Sequence, residues 1–393
     1  MIPRIITLGL ICSLLCLVTA SRPVAAADPF EIDAIMSVTG QGAFLGGEEA
    51  STLQLIADLV NKAGGIQGRP IKFAVVDDQS NPQVAVQLTN AIIAKKPSVM
   101  MGSTITASCG AMMPLLKDGP ADYCLSPGVH PPEGNYMFSA AFSTVDACAA
   151  LLHYLRQRGW TQIAMITSID ATGQDAERNV DAATGLPQNS GVTIIDREHF
   201  NVTDISVAAQ MTHIKASHAQ AVIAWATGTP FQTLVRGIHD AGLDAPIATS
   251  NGNLTFAQMT ASAEFLPKEL YFAGIPSSAT AQQLPRGPQK DAELSYVNAF
   301  KAAGTRVEIG QYQAWDAGWI VVDALKHVGL NASASQVRDY IANLRGWVGV
   351  NGPYDFRAVP QRGIGMSAVS VVRWDPVATT WVGVSKPGGE PLK

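Results

Sequence analysis

The chain has 393 residues, a formal net charge of −5, 47% hydrophobic residues and 15% charged residues. That hydrophobic share excludes a disordered chain, and mild acidity without a basic run excludes nucleic acid and anionic lipid as expected partners. Arg4, the apolar run Ile5 to Ala20 and the small-x-small Ala25-Ala26-Ala27 read as a cleaved signal peptide over residues 1–27, which makes the mature protein an exported one. No later stretch is apolar for long enough to span a bilayer.

Downstream, short β-branched runs alternate with helical patterns. A strand over Glu31–Val38 is followed by a helix over Gly47–Lys62, with Leu53, Ile56 and Val60 on one face. The helix stops at the paired glycines Gly64 and Gly65. A strand over Ile71–Val76 then ends on Asp77, Asp78 and the loop Asn81-Pro82. Next come a helix over Pro82–Lys95, a strand over Ser98–Met101, a helix over Ala107–Leu116 and a strand over Tyr123–Ser126. The rhythm restarts with helices over Val145–Arg158, Gly173–Ala183, Ser206–Ala216 and Pro230–Ala241. Strands interleave them over Gln162–Thr167, Val192–His199, Ala221–Ala226 and Pro246–Ser250. A Pro/Gly/Ser/Gln-rich stretch spans Gly274 to Lys290. Helices follow over Asp291–Ala303, Gln311–Val328 and Ala334–Leu344, then a hairpin of Ser367–Arg373 with Thr380–Val384. Regular alternation of this kind predicts an α/β fold with two parallel sheets, each covered by helices on both faces.

Cofactor and catalytic signatures are missing. Gly40-Gln41-Gly42 with Gly46 departs from G-x-G-x-x-G by one residue, and Asp77 and Asp78 lie too far downstream to be the ribose-binding acid. The turn is read instead as bringing backbone close to a small ligand. No G-x-S-x-G, H-E-x-x-H or Walker loop is present, so neither an enzyme, a cofactor nor a metal is expected. Adjacent strand residues point to opposite faces, which assigns Asp77 and Asp78 to shaping their loop. The Ser/Thr-rich Gly102–Ser108 runs into a helix that Thr106 is expected to cap, presenting free N–H groups to a carboxylate. His130 in the next loop reads equally as a ligand contact or as an ordinary loop residue. Among Cys109, Cys124 and Cys148 one disulfide can form, Cys109–Cys124 being the favoured pair, with one thiol left over.

Asn61-x-x-Gly64-Gly65-Ile66-x-Gly68-Arg69, followed by Asp77-Asp78 and Asn81-Pro82-x-x-Ala85, resembles the periplasmic leucine/isoleucine/valine-type solute-binding proteins of ABC importers. Ser37-Val38-Thr39-Gly40, Ser126-Pro127, Ala241-Gly242-Leu243 and Trp315-Asp316-Ala317 extend the likeness over the whole mature chain. The resemblance implies a type I periplasmic binding protein fold, two doubly wound lobes joined by three hinge strands. Residues 28–143 plus 276–352 would form the N-terminal lobe, and 144–275 plus 353–393 the C-terminal lobe. It implies a monomer in the periplasm that traps a small-molecule ligand by hinge closure and delivers it to the permease subunits of an ABC importer. The alternative is a branched-chain amino acid or amide binding protein, or a sensory module signalling to a partner. By that pattern Thr104, Thr106, Ala107, Gly128, Val129 and His130 hold the ligand's carboxylate from the first lobe. Leu45, Thr172, Thr227, Asn251 and Trp315 surround the remainder. Asn251 stands where amino-acid binders of the family place an acid. Burying an ammonium without a counter-charge is costly, so the expected ligand carries a carboxylate and no α-ammonium. An aromatic acid is favoured, with a small aliphatic carboxylate or amide still open.

Overall fold

The computed structural model describes residues 28–275, 286–308 and 311–392. The expected signal segment 1–27, and residues 276–285 of the Pro/Gly-rich stretch, lie outside the described residues. Among the described residues no helix is long and apolar enough to cross a membrane.

The first lobe opens with β1 (Phe30–Met36), α1 (Ala43–Lys62), β2 (Ile71–Asp77), α2 (Pro82–Ala94), β3 (Val99–Gly102), α3 (Thr106–Met112), β4 (Ala121–Cys124) and β5 (Met137–Ser139). Its sheet has the order β2-β1-β3-β4-β5 and is parallel throughout. In β1 the residues Ile32, Ala34, Ile35 and Met36 are buried on both faces, as a central parallel strand between helical layers requires.

The helix–glycine–strand motif is a structural joint. Gly65 N–H donates to Val60 O (2.9 Å) with φ at +78°, and a Cβ there would lie 2.2 Å from Arg69 O, so only glycine fits. The Asn61 side chain bonds both backbone groups of Ile71, at 2.9 and 2.7 Å, pinning the end of α1 to the start of β2. Asn81 caps α2 by accepting from Gln83 N–H and Val84 N–H, with Pro82 at the first helical position.

The second lobe holds α4 (Thr144–Gln157), β6 (Gln162–Ser168), α5 (Ala171–Thr184), β7 (Thr193–Phe200), α6 (Ala208–Ala216), β8 (Ala221–Trp225), α7 (Thr229–Asp240), β9 (Ile247–Thr249), α8 (Phe256–Ala261) and β10 (Leu270–Gly274). The chain then returns to the first lobe with α9 (Pro288–Ala302), α10 (Tyr312–Val328), α11 (Ala334–Asn343) and the hairpin β11 (Arg345–Gly349) and β12 (Gly352–Asp355). It ends in the second lobe with β13 (Ser370–Asp375) and β14 (Thr380–Gly383), completing the order β14-β13-β10-β9-β8-β6-β7. The strands β6 to β10 run parallel, and the C-terminal hairpin adds antiparallel to β10. The expected elements are present to within a few residues; the short β5, β10, β11 and β12 and the six-residue α8 are additions to the sequence reading.

Three crossings join the lobes: 140–143, the stretch between β10 and α9, and 356–369. The sequence boundary at 352 falls inside the β11–β12 hairpin, which packs with the first lobe. Asp316 on α10 accepts from Val350 N–H, Asn351 N–H, the Asn351 amide and Tyr354 Oη, and Phe356 meets Phe138 edge-on. At the hinge, Arg362 is 5% exposed. Its Nη1 donates to the carbonyls of Ala140, Ala141 and Phe142, and its Nη2 to those of Pro127 (3.1 Å) and Val129 (2.7 Å). The third crossing is thereby stitched to the first and to the loop after β4. Burial pulls this guanidinium's pKa down to about 10.

Candidate functional site

Loops at the C-terminal strand ends of both sheets meet around one enclosed space, where ligands collect in open α/β sheets. From the first lobe it is lined by Leu45 at the start of α1, Thr104, Ile105 and Thr106 after β3, and Ser126, Pro127 and Gly128 after β4. From the second lobe come Thr144, Thr172 and Asp175 on α4 and α5, Trp225 and Thr227 at the end of β8, and Ser250, Asn251 and Gly252 after β9. The cavity encloses about 30 Å³, room for about two water molecules. Its walls are hydroxyl-rich, and Trp225 is the one aromatic among them.

The lobes touch all around this space. Thr229 N–H donates to Gln41 O (3.2 Å), Asn251 Nδ2 to Tyr312 Oη (3.2 Å), and Phe256 N–H, at the start of α8, to Glu308 Oε2 (2.7 Å). His130 Nε2 meets Asp175 Oδ1 at 2.9 Å. Arg306 lies over the Phe256 ring and donates to Thr379 O. Burial, opposed by the Phe256 N–H, raises the Glu308 carboxyl to about 7, and burial also raises its neighbour Glu48.

Seven of the residues singled out in the sequence line the cavity: Leu45, Thr104, Thr106, Gly128, Thr172, Thr227 and Asn251. The other four do not. Ala107 sits one position further into α3. Val129 turns into a core cluster with Ile35, Cys109 and Cys124, its carbonyl held by Arg362. His130 is on the rim, with 45% of its side chain exposed. Trp315 packs among Tyr296, Phe300 and Trp319. The residue of α10 that reaches the seam is Tyr312, almost one turn earlier.

Further expectations need correction. Thr106 is the first residue of α3 and does not cap it; the N-cap is Ile105, without a side-chain bond, and Thr106 Oγ1 pairs with Ser126 Oγ at 2.8 Å. The Gly40–Gly42 turn serves the seam: Gln41 O meets the second lobe, and Gly42 N–H donates to Ser80 Oγ (3.0 Å). Asp77 and Asp78 do shape loops. Asp77 accepts from Val38, Thr39 and Gln79 N–H, and Asp78 from Ser37 Oγ, Ser103 Oγ and Ser80 N–H. Thr104 Oγ1 accepts from Ser37 N–H and bonds the fully buried Glu49, whose carboxyl burial pushes well up. Cys109 and Cys124 are disulfide-bonded, clamping α3 to β4 beneath both first-lobe loops, while Cys148 is a free buried thiol. Asp175, Trp225, Ser126, Thr144, Ser250 and Tyr312 were not singled out. Spacing offered a signal for two: Asp175 is three residues after Thr172 on one helical face, and Trp225 two before Thr227 at a strand end. Among the described residues no three His, Cys, Asp or Glu side chains gather as metal donors.

A family model described as periplasmic binding protein matches residues 30–379. The leucine-, isoleucine-, valine-, threonine- and alanine-binding protein of Pseudomonas aeruginosa is 23% identical over 298 residues, covering 70% of this chain and 72% of that protein. An extracellular ligand-binding receptor from Rhodopseudomonas palustris superimposes with a TM-score of 0.79 at 20% identity, over 90% of this chain and 99% of that one. A solute-binding protein from R. palustris in complex with benzoate gives 0.74 at 16% identity, over 93% and 97%. With two hinged lobes, a cavity at their strand ends and a family match over most of its length, the chain belongs to the periplasmic binding protein family.

Proposed function

We propose that this protein captures a small carboxylate-bearing solute in the periplasm, between lobes 28–143 plus 276–355 and 144–275 plus 356–393, and hands it as a monomer to the permease of an ABC importer. The observation that carries the reading is the closed cavity itself, built from strand-end loops of both sheets and lined by the hydroxyls of Thr104, Thr106, Ser126, Thr144, Thr172, Thr227 and Ser250. Thr104 spends its proton on Glu49, and Thr106 and Ser126 share one between them. The remaining hydroxyls offer donors to an anionic or polar group without a nucleophile–base pair, so the site reads as a binder. Gly128 N–H adds a further donor: its peptide carbonyl, on Pro127, is turned to Arg362, so the trans N–H points away from that cation.

The enclosed space of about 30 Å³ is smaller than any of the expected solutes. The lobes therefore hold a solute in a somewhat wider conformation, and the aromatic acid stays the favoured ligand with the small aliphatic carboxylate or amide beside it. Mass spectrometry of solute released from native protein tests the class directly. Calorimetric titration of refolded, ligand-free protein with acetate, propionate, benzoate and leucine tests it further. Micromolar leucine binding with no benzoate binding would reject a ligand without an α-ammonium, and binding of none of the four would reject the carboxylate reading itself.

A further inference from the structure

Among the described residues the cavity wall carries one ionisable side chain, Asp175 on α5, which is 2% exposed. Its two oxygens differ. Oδ1 accepts from Asn179 Nδ2 (3.0 Å), has Arg178 at 3.5 Å and meets His130 across the seam. Oδ2 is equally buried and has no donor among the described residues. A Cβ at Gly128 would lie 3.2 Å from Oδ2 and 2.5 Å from Thr106 Oγ1, so this oxygen stands beside Gly128 where the two lobes meet, at the border of the ligand space. No nearby cation reaches it: His130 and Arg178 are on the Oδ1 side, and Arg362 directs both terminal nitrogens at carbonyls.

A buried carboxylate oxygen without a donor is costly. Glu49 Oε1 and Asp196 Oδ2 share that condition, but of the three only Asp175 stands on the cavity wall. We propose that Asp175 is the specificity-determining residue of the cavity, its Oδ2 accepting a hydrogen bond from an N–H or O–H group on the solute. The inference rests on the ligand reading above and deepens it: besides its carboxylate, the solute carries a donor. Asp175 supplies from α5 the acidic contact that Asn251 does not supply from the loop after β9. It also makes closure selective. Lobes closing over a solute without a donor bury Oδ2 unpaired, whereas a donor removes that cost in the closed state alone, which shifts the population toward closure.

The experiment is calorimetric titration of refolded protein with matched probes of one size: propionate, propionamide, L-lactate and L-alanine. Wild type is expected to bind at least one donor-bearing probe more tightly than propionate by about 10- to 100-fold, the range for a charge-assisted hydrogen bond. Asp175→Asn is expected to lose that preference, read as the ratio of donor-bearing-probe to propionate affinity, with its thermal midpoint reporting that it folds. His130→Asn, which removes the rim partner and leaves Oδ2 in place, should weaken all probes together and keep the preference. Equal binding of propionate and the donor-bearing probes by wild type, or a preference that survives Asp175→Asn, overturns the inference while leaving the ligand reading intact. Binding of none of the four overturns the ligand reading, and the inference with it.

Discussion

Arg362 and Asp175 are both buried at the seam between the lobes, yet their partners differ. Arg362 aims two nitrogens at five backbone carbonyls drawn from one hinge crossing and one cavity loop. Asp175 has its donors gathered on one oxygen and leaves the other at the border of the ligand space. A buried charge that is fully paired holds a geometry; one that is half paired is poised for a partner from outside. The hinge and the cavity thus use the same expensive ingredient for opposite ends, fixing the axis of motion in one case and sensing what the motion encloses in the other.

The comparison breaks most visibly at Arg362. Arg362→Met should strand the five carbonyls and cost about 3–5 kcal/mol of stability, read as a lower midpoint in urea unfolding. A near-neutral result would mean that the pairing is incidental. Next is the covalent clamp under the first-lobe loops. The double variant Cys109→Ala, Cys124→Ala opens a bridge of sequence separation 15 and should cost about 3 kcal/mol in thermal or urea unfolding. Tyr312→Phe removes the oxygen that Asn251 reaches across the seam and should weaken solute binding by about 1 kcal/mol, with unfolding nearly unchanged.

The smallest effect is expected from pH. In the closed form burial raises the Glu308 carboxyl to about 7, opposed by the Phe256 N–H of the second lobe and helped by Glu48 on its own lobe. A carboxyl that holds its proton more tightly in the closed form favours closure below that value and opposes it above. Affinity should therefore be a few-fold higher at pH 6 than at pH 8 after solvent screening. Glu308→Gln should flatten that slope in the same titration; an unchanged slope removes Glu308 from the seam's energetics.

The lobes and their strand-end loops were legible because they are written locally. Paired glycines end α1, Asn81-Pro82 opens α2, and β-branched runs mark the parallel strands. Seven cavity residues followed from those loops. Asp175, Trp225 and Tyr312 did not, because which residues meet across the seam depends on how far the hinge closes, and no local period encodes that. Trp315 shows the limit well. The helix carrying it is where the pattern puts it, but the rotation of α10 sends Trp315 into the aromatic cluster and Tyr312 to the seam. The strands β11 and β12 escaped notice because Gly346, Gly349, Gly352 and Pro353 lie within them, residue types that read as turns in a sequence.

Trp225 gives the molecule an optical label of its own. Of the chain's seven tryptophans, it is the one on the cavity wall, while Trp315, Trp319, Trp374 and Trp381 are locked in aromatic clusters away from it. Indole emission follows the polarity of its surroundings, so a solute replacing water beside this ring changes the fluorescence with no dye attached. Solute screening and the kinetics of lobe closure can then be read on the unmodified protein.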